Sequence, residues 1–414
     1  MCLKSKKFVF IILALGLALR LIFISLLPAS ELFLPGPLAD QKEFVAMAEN
    51  VLAGRGIILG EGREIARMPL YALFLALSFG IFGENFFYLR LWQALISMGS
   101  VGLVFLLAKR IFSREAGLVA ALLAAIYPFF ILFSGLVLNE TLFIFFFLLE
   151  IYLLVRLKET VQAGEEERGR SRTYFLAVAA GVCAGATVLI RGAALVFYVF
   201  VWAFSLLLAR PKKRILLAVG IHGVIFCATL FPWVWRNYEI SGHFVPTTLR
   251  VGLSLYEGNS PQATGAPILN ILVIPDAARD LDEYEKDKFL RREATRYILE
   301  HPGRFLRLCG MKFIRFWNPV PNYPGFRRLL IIIGTAGSFL PVVFLALLGM
   351  GLERRDWRKW FLVVSPVVYF TLLHMVFVGS LRYRVPVMPF LVVLAGAGGW
   401  RIIQGLKKKQ GRDE

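Results

Sequence analysis

Long apolar stretches recur along almost the whole chain and are separated by short polar segments. Most approach the roughly 20 residues that a helix needs to cross a bilayer. The pattern therefore predicts an all-α integral membrane protein, a helical bundle with about ten transmembrane helices. The stretches lie near residues 8–27, 91–108, 116–134, 141–156, 174–190, 193–209, 214–234, 329–350, 360–378 and 386–405.

Two longer segments between these stretches predict large loops on the outer face. Residues 28–90 include the apolar run 68–82, which is short for a span and is expected in the membrane interface. Within residues 235–328, the run 301–317 alternates basic and apolar side chains at helical spacing, which predicts an amphipathic helix on the membrane surface. The expected organisation has three parts, which are an N-terminal transmembrane module (1–234), an outer unit (235–328) and C-terminal transmembrane helices with a basic tail (329–414).

Composition and charge support the membrane assignment. The chain is 58% hydrophobic and only 18% charged, whereas soluble domains average roughly 45–50% apolar residues. The net charge of +19 comes from basic residues clustered in short loops such as 210–214 and in the tail after residue 407. The positive-inside rule places such loops in the cytoplasm, so we expect both termini there, in an inner or plasma membrane, and no nucleic-acid partner.

Two charged residues fall near the middle of predicted spans. Arg20 lies in the first apolar stretch and Glu150 in the fourth. A charge at that depth is costly and is usually paired. We therefore predict that these two side chains face each other as a structural pair.

Two carboxylates are candidates for chemistry at the outer ends of helices. Asp40 precedes a helix-like run and could be an ordinary helix cap, or it could accept a proton from an acceptor hydroxyl or amine. Glu140 opens the fourth span, where the helix dipole favours an acid. Because both acids are expected at similar depth, they could also form an acid/base or metal-assisted site.

Arginines near the outer ends of the spans are candidate phosphate ligands. Arg67 closes the first outer loop, and Arg382 and Arg384 precede the last span. Arginine binds phosphate bidentately, although such residues also simply extend towards lipid headgroups. The sequence contains no Walker A loop, dinucleotide fingerprint or zinc pattern. The candidate acids are expected to face a compartment without nucleotide sugars or ATP, so a transferase active on this face would take its activated group from a lipid.

An ordered set of short motifs spans nearly the whole chain. It consists of Asp40, Arg67-x-Pro69-Leu70-Tyr71, Arg90-Leu91-Trp92-Gln93-Ala94, Ala125-Ile126-Tyr127-Pro128, Ser134-Gly135 with Asn139-Glu140, Arg236-Asn237-Tyr238 with Gly242–Pro246, Gly252–Asn259 and Arg382-Tyr383-Arg384-Val385-Pro386. The set resembles the GT-C glycosyltransferases of the protein O-mannosyltransferase and aminoarabinose-transferase type.

The resemblance implies an inverting membrane glycosyltransferase with a GT-C-like fold. The donor would be a sugar linked to polyprenyl phosphate, and the acceptor a lipid, glycan or protein. Asp40 would act as the base or position the acceptor. Our assignment of the site is catalytic Asp40 and Glu140, donor-phosphate ligands Arg67, Arg236, Arg382 and Arg384, and substrate-binding Tyr71, Tyr256 and Asn259.

Two departures from the family pattern leave the cofactor undefined. Members often carry an acidic pair where this chain has Asp40-Gln41. The aminoarabinose branch carries a metal-binding glutamate shortly before a loop proline, where this chain has Ala66-Arg67-Met68-Pro69. The sequence therefore offers no clear ligand set for a divalent metal.

The rival hypothesis is a flippase or transporter of lipid-linked sugars without transferase activity. Transporters tend to show inverted repeats, broken spans and polar residues at mid-membrane. This chain shows no internal repeat and concentrates its charge at the outer rim, which favours the enzyme.

Overall fold

The computed structural model describes residues 2–29, 32, 40–163, 167–208, 212–268 and 272–413. These residues form helices and connecting loops and no named strand, so the predicted all-α class is confirmed. Parts of both predicted outer loops and of the polar linker after residue 158 lie outside the described residues. The α-helices are α1 (Cys2–Ser25), α2 (Asp40–Leu52), α3 (Pro69–Phe82), α4 (Phe86–Ile111), α5 (Arg114–Ile126), α6 (Pro128–Gly135), α7 (Glu140–Ala163), α8 (Glu167–Ile190), α9 (Leu195–Leu208), α10 (Lys212–Ser241), α11 (Val251–Gly258), α12 (Glu283–Glu300), α13 (Pro302–Trp317), α14 (Leu329–Leu352), α15 (Trp357–Val376), α16 (Leu381–Arg384) and α17 (Met388–Asp413).

The chain is a multi-pass membrane protein. Seven helices in the described residues are long and apolar enough to cross a bilayer, or eight if the pair α5 and α6, bent by 50°, counts as one span. Each of the ten predicted stretches falls on a helix or on this bent pair. The count of ten is approximate, because α9 has only 14 residues and α7 carries Glu150, Arg156 and Lys158.

Small residues let the C-terminal helices approach each other closely. A Cβ added at Gly398 of α17 would lie 2.1 Å from the carbonyl oxygen of Leu345 in α14, and one added at Gly349 would lie 2.4 Å from that of Leu394. Close packing of backbones through glycine is a common way for helices to associate in lipid. The first half of α17 is therefore buried. The short helix α16 directly precedes α17 and contributes to the site described below.

The predicted pairing of Arg20 with Glu150 is wrong. Both side chains are fully buried, but each has a different partner. Arg20 donates to Ser97 Oγ at 2.8 Å and to the carbonyl of Ala125 at 3.0 Å, and Glu150 accepts from the Tyr198 hydroxyl at 2.8 Å. The last carbonyls of a helix lack intrahelical partners, so the end of α5 supplies an acceptor for Arg20 Nη1 in place of a carboxylate.

The segment between α10 and α14 contains α11, α12 and α13. The last of these is strongly amphipathic, with Lys312 and Phe316 buried and Leu306 and Ile314 exposed. The amphipathic helix expected from the sequence is therefore present. The proposed three-part division of the chain stays a prediction.

Candidate active site

Buried polar side chains hold the connection between α6 and α7. Arg90 and Gln93 of α4 donate to backbone carbonyls of this connection at 3.0 and 2.9 Å. Gln41 of α2 accepts from the backbone N–H of Val137 at 2.8 Å. Buried polar groups are stable when they are hydrogen-bonded in this way. The connection fixes Glu140, the first residue of α7, relative to the N-terminus of α2.

Arg382 of α16 joins the two carboxylates that the sequence singles out. Its Nη1 donates to Asp40 Oδ2 at 2.7 Å, and its Nε donates to Glu140 Oε1 at 2.6 Å. Asp40 and Glu140 are each in the first turn of a helix, where the helix dipole favours a negative charge. The Asp40 side chain is 29% exposed and the Glu140 side chain 0%, so only Asp40 can be approached from outside.

The ion pairs continue from Asp40 through the first outer loop. Arg67 Nη2 donates to Asp40 Oδ1, and Arg67 Nε donates to Glu43 Oε2 at 2.6 Å. Glu43 also pairs with Arg63 at 2.9 Å and with Arg250 at 3.2 Å. One carboxylate thus holds three guanidinium groups beside Asp40.

Arg191 completes the cluster on the side of Glu140. Its Nη2 lies 3.6 Å from Glu140 Oε1, and its guanidinium packs 5.8 Å from the ring centroid of Phe143 and 5.7 Å from that of Tyr383. We call the eight residues the arginine–carboxylate network: Asp40, Glu43, Arg63, Arg67, Glu140, Arg191, Arg250 and Arg382. With every member ionised, its five arginines and three acids leave an excess of two positive charges.

The network keeps its exposed carboxylates ionised. Burial alone raises the pKa of Asp40, but the charges of Arg382 and Arg67 outweigh it and leave the pKa well below its usual range. The pKa of Glu43 is lowered in the same way, because Arg67 and Arg250 outweigh the effect of burial. In this state Asp40 is a weak base.

Two arginines assigned to the donor phosphate lie outside the network. Arg236 donates to the backbone carbonyls of Ile57 and Glu64 at 2.7 and 3.0 Å. Arg384 is buried, donates to the carbonyl of Asn318 at 2.9 Å and stacks 3.6 Å from the ring centroid of Phe339. Both guanidinium groups support local backbone in this structure, and their role towards a phosphate stays a prediction.

The three side chains assigned to substrate binding are also buried and engaged elsewhere. The Tyr71 hydroxyl donates to Gln93 Oε1 at 2.9 Å. Tyr256 packs in a small apolar cluster with Leu290. Asn259 accepts from Lys312 Nζ at 3.0 Å. None of the three bonds to the network, so their role in binding substrate stays a prediction.

Four network members were missed as site residues by sequence reasoning, namely Glu43, Arg63, Arg191 and Arg250. Glu43 had a usable signal, because it follows Asp40 by three residues and so lies on the same face of α2. Arg191 directly follows the end of α8, much as Glu140 begins α7. Arg63 and Arg250 lie in loop segments and had no distinguishing signal.

A metal site is not evident in the part of the chain that the structure describes. No group of three or more His, Cys, Asp or Glu side chains there could hold a metal ion. Arginines already occupy Asp40 and Glu43. Glu140 Oε2 is buried without a hydrogen-bond partner.

Comparisons with known proteins agree with this architecture. The model of the dolichyl-phosphate-mannose-protein mannosyltransferase family matches residues 66–235, which include Arg67, Glu140 and Arg191. Comparison with curated protein sequences gives no match.

Solved structures of two membrane proteins share the fold. ArnT from Cupriavidus metallidurans in the apo state has a TM-score of 0.59 at 14% identity, covering 95% of this chain and 60% of its own. The same protein bound to undecaprenyl phosphate has a TM-score of 0.56 at 15% identity, with coverage of 95% and 60%. The archaeal oligosaccharyltransferase AglB from Archaeoglobus fulgidus, in complex with an inhibitory peptide and a dolichol-phosphate, has a TM-score of 0.62 at 12% identity, with coverage of 99% and 51%.

This chain spans between half and three fifths of the length of those proteins. The structural matches nevertheless extend over 95% of this chain for ArnT and 99% for AglB. The chain therefore has the fold of the GT-C glycosyltransferases, and the resemblance that its motifs indicate is confirmed.

Proposed function

We propose that this protein is a membrane glycosyltransferase that moves a sugar from a polyprenyl-phosphate carrier to an acceptor on the outer, periplasmic face. The observation that carries the proposal is Arg382, whose guanidinium joins Asp40 in the first turn of α2 to Glu140 in the first turn of α7. Arg382 can bind phosphate, and it contacts Asp40, a carboxylate that can be approached from outside.

The charge of the arginine–carboxylate network favours a phosphate ligand. Its excess of two positive charges matches the negative charge of a phosphodiester or phosphate, and guanidinium groups bind such oxygens bidentately. Arg67 and Arg382 both contact Asp40. A donor phosphate held by these two arginines would therefore place the anomeric carbon of the sugar near Asp40.

The same arrangement gives Asp40 two states. In the resting protein the charges of Arg382 and Arg67 keep its pKa low. A donor phosphate that shares these arginines weakens their effect on Asp40, which then becomes a better proton acceptor. Asp40 is thus a weak base until the donor is bound.

The reaction that follows is an inverting displacement. Asp40 accepts the proton of the acceptor hydroxyl or amine as the acceptor atom forms a bond to the anomeric carbon. The bond from that carbon to the phosphate oxygen breaks, and its electron pair leaves with the polyprenyl phosphate. Arg67 and Arg382 stabilise the departing phosphate. Glu140 is too buried to reach an acceptor and orients Arg382.

Known ligands of the structural neighbours support a polyprenyl carrier. ArnT was solved with undecaprenyl phosphate and AglB with a dolichol-phosphate, and both lipids are polyprenyl phosphates. The family model that matches residues 66–235 describes enzymes that use dolichyl-phosphate-mannose. The acceptor can be a lipid, a glycan or a protein.

The test begins with the donor and continues with Asp40→Asn. Mass spectrometry of lipids that co-purify with this variant, which can hold a donor without consuming it, would identify the lipid-linked sugar. Transfer from that lipid should then fall by about 10²–10⁴-fold in Asp40→Asn, the usual contribution of a general base. Lys42→Gln is the matched control, because Lys42 is exposed and adjacent to Asp40 in sequence.

Two outcomes would contradict the proposal. Transfer by Asp40→Asn at the wild-type rate would remove Asp40 from the chemistry. Movement of the lipid-linked sugar across a vesicle bilayer by the wild-type protein, without any transfer, would instead establish the rival transporter.

A further inference from the structure

A second candidate site lies at the opposite end of the bundle from the arginine–carboxylate network. Helix α7 begins at Glu140 and passes Lys158 eighteen residues later, which is about 27 Å along the helix. Lys158 lines a cavity enclosed by α7, α9, α10 and α15. The basic loops assign this end to the cytoplasm.

The walls of this cavity are apolar and aromatic. It encloses about 1030 Å³ when the open space at its mouth is included. The rings of Phe204 and Phe361 line it and stack on each other with centroids 4.1 Å apart. Leu157, Val201 and Ala218 are further buried walls. Such a lining suits a hydrocarbon chain.

A buried hydrogen-bond donor lies in the wall of the cavity. His222 is 2% exposed, and its Nδ1 accepts from the indole Nε1 of Trp202 at 3.0 Å. Because an indole N–H can only donate, Nδ1 carries no proton, and the neutral ring must carry its proton on Nε2. This Nε2 is buried and has no partner among the described residues. An oxygen of a ligand in the cavity that His222 lines could accept this hydrogen bond.

Two cations lie together at the mouth. Lys158 Nζ donates to the backbone carbonyl of Arg358, which brings the ammonium and the guanidinium into one region. Glu159 pairs with Arg110 and Asp356 with Lys359. Glu159 also attracts Lys158, so its single charge is shared between two cations. An anion between Lys158 and Arg358 would relieve the repulsion between them.

We propose that this cavity binds an anionic phospholipid of the adjacent leaflet. One acyl chain would lie against the aromatic wall, and the phosphate would contact Lys158 and Arg358. An ester or hydroxyl oxygen of the lipid would accept from His222 Nε2. A soluble phosphate would contact only the two cations at the mouth of the cavity. A neutral lipid would contact only the apolar walls. This site is separate from the proposed transfer reaction and does not depend on it.

The test uses the full chain in vesicles that contain phosphatidylglycerol with a photoreactive group on its acyl chain. Labelled peptides are identified by mass spectrometry, and phosphatidylcholine with the same label is the neutral comparison. We expect peptides of α9, α10 and α15 around the cavity to be labelled about thirtyfold more by phosphatidylglycerol, the scale of effect of two basic residues near an anionic surface.

The variants separate headgroup recognition from general charge. Lys158→Gln with Arg358→Gln should reduce labelling to the phosphatidylcholine level. Arg354→Gln with Arg355→Gln removes the same charge from the neighbouring loop, outside the cavity lining, and should leave labelling unchanged. If the first double variant fails to fold, Ala218→Phe narrows the cavity without changing charge and should also reduce labelling.

Three results would overturn the proposal. Equal labelling by the two lipids would show bulk lipid without headgroup recognition. Labelling that survives loss of both cations would exclude Lys158 and Arg358. Loss of labelling on addition of inorganic phosphate to the wild-type protein would identify a soluble-anion site instead.

Discussion

Arg382 and Asp40 are 342 positions apart in sequence and form a hydrogen-bonded ion pair at 2.7 Å. The pair joins the start of α2 to the segment before the last long helix. The remaining carboxylate oxygen of Asp40 is held by Arg67, while Arg382 also reaches Glu140. The proposed base and the proposed phosphate ligands therefore hold one another in place. Substitutions of the base and of the ligands should affect different measured quantities.

Replacing Arg382 by lysine tests its bridging role. Lysine keeps the charge but cannot serve two carboxylates with a planar fork of donors. We expect kcat to fall by about 10²–10³-fold, the usual effect of losing one electrostatic donor to a developing anion. Steady-state kinetics with the identified donor measure this change. Arg384→Lys is the matched control and should keep most of the activity, and an equal loss there would move the phosphate role towards Arg384.

Binding of undecaprenyl phosphate tests which arginines face the carrier. Because Arg67 belongs to the network and Arg236 bonds to backbone carbonyls, Arg67→Gln should raise the dissociation constant about tenfold, equivalent to roughly 1.4 kcal/mol. Arg236→Gln should leave it within about twofold. The measurement is titration of the detergent-solubilised protein, and weaker binding by Arg236→Gln alone would contradict this division.

Stability at low pH should depend on Asp40 and Glu43. Their pKa values are lower in the folded protein than in the unfolded chain, so their stabilising contribution is complete above about pH 4–5 and is lost as pH falls further. We expect the melting temperature of the wild-type protein to decrease below this range. The variant Asp40→Asn with Glu43→Gln should show a shallower decrease, and an identical slope would exclude these two groups.

Lys312 should act at the other end of the pH range. Burial lowers the pKa of Lys312 to about 8, whereas the unfolded chain keeps this proton up to about pH 10.4. Between these two pH values the unfolded state binds more protons than the folded state. The free energy of unfolding of the wild-type protein, relative to that of a variant without this lysine, should therefore rise with pH. Melting temperatures of wild type and Lys312→Met at pH 7.5 and 10 test this. A constant difference would contradict it.

The sequence alone determined the fold class and the types of residue at the site. The length and apolar character of the stretches specify helices in a bilayer, because they are local properties that do not depend on partners. Glu140, Arg67 and Arg382 could be singled out because each borders an apolar stretch. Asp40 could be singled out because it precedes a helix-like run and matches the family resemblance. The amphipathic pattern of α13 was visible for the same reason.

Only the tertiary structure decided which of these residues meet. Many arginines occur near helix ends and are equivalent in sequence, yet Arg382 joins Asp40 and Glu140 while Arg236 and Arg384 support backbone carbonyls. The partner of Arg20 depends on the free carbonyl created where α5 ends against α6. These contacts are set by how each helix is rotated and packed against its neighbours, and a linear pattern of residues does not contain that information.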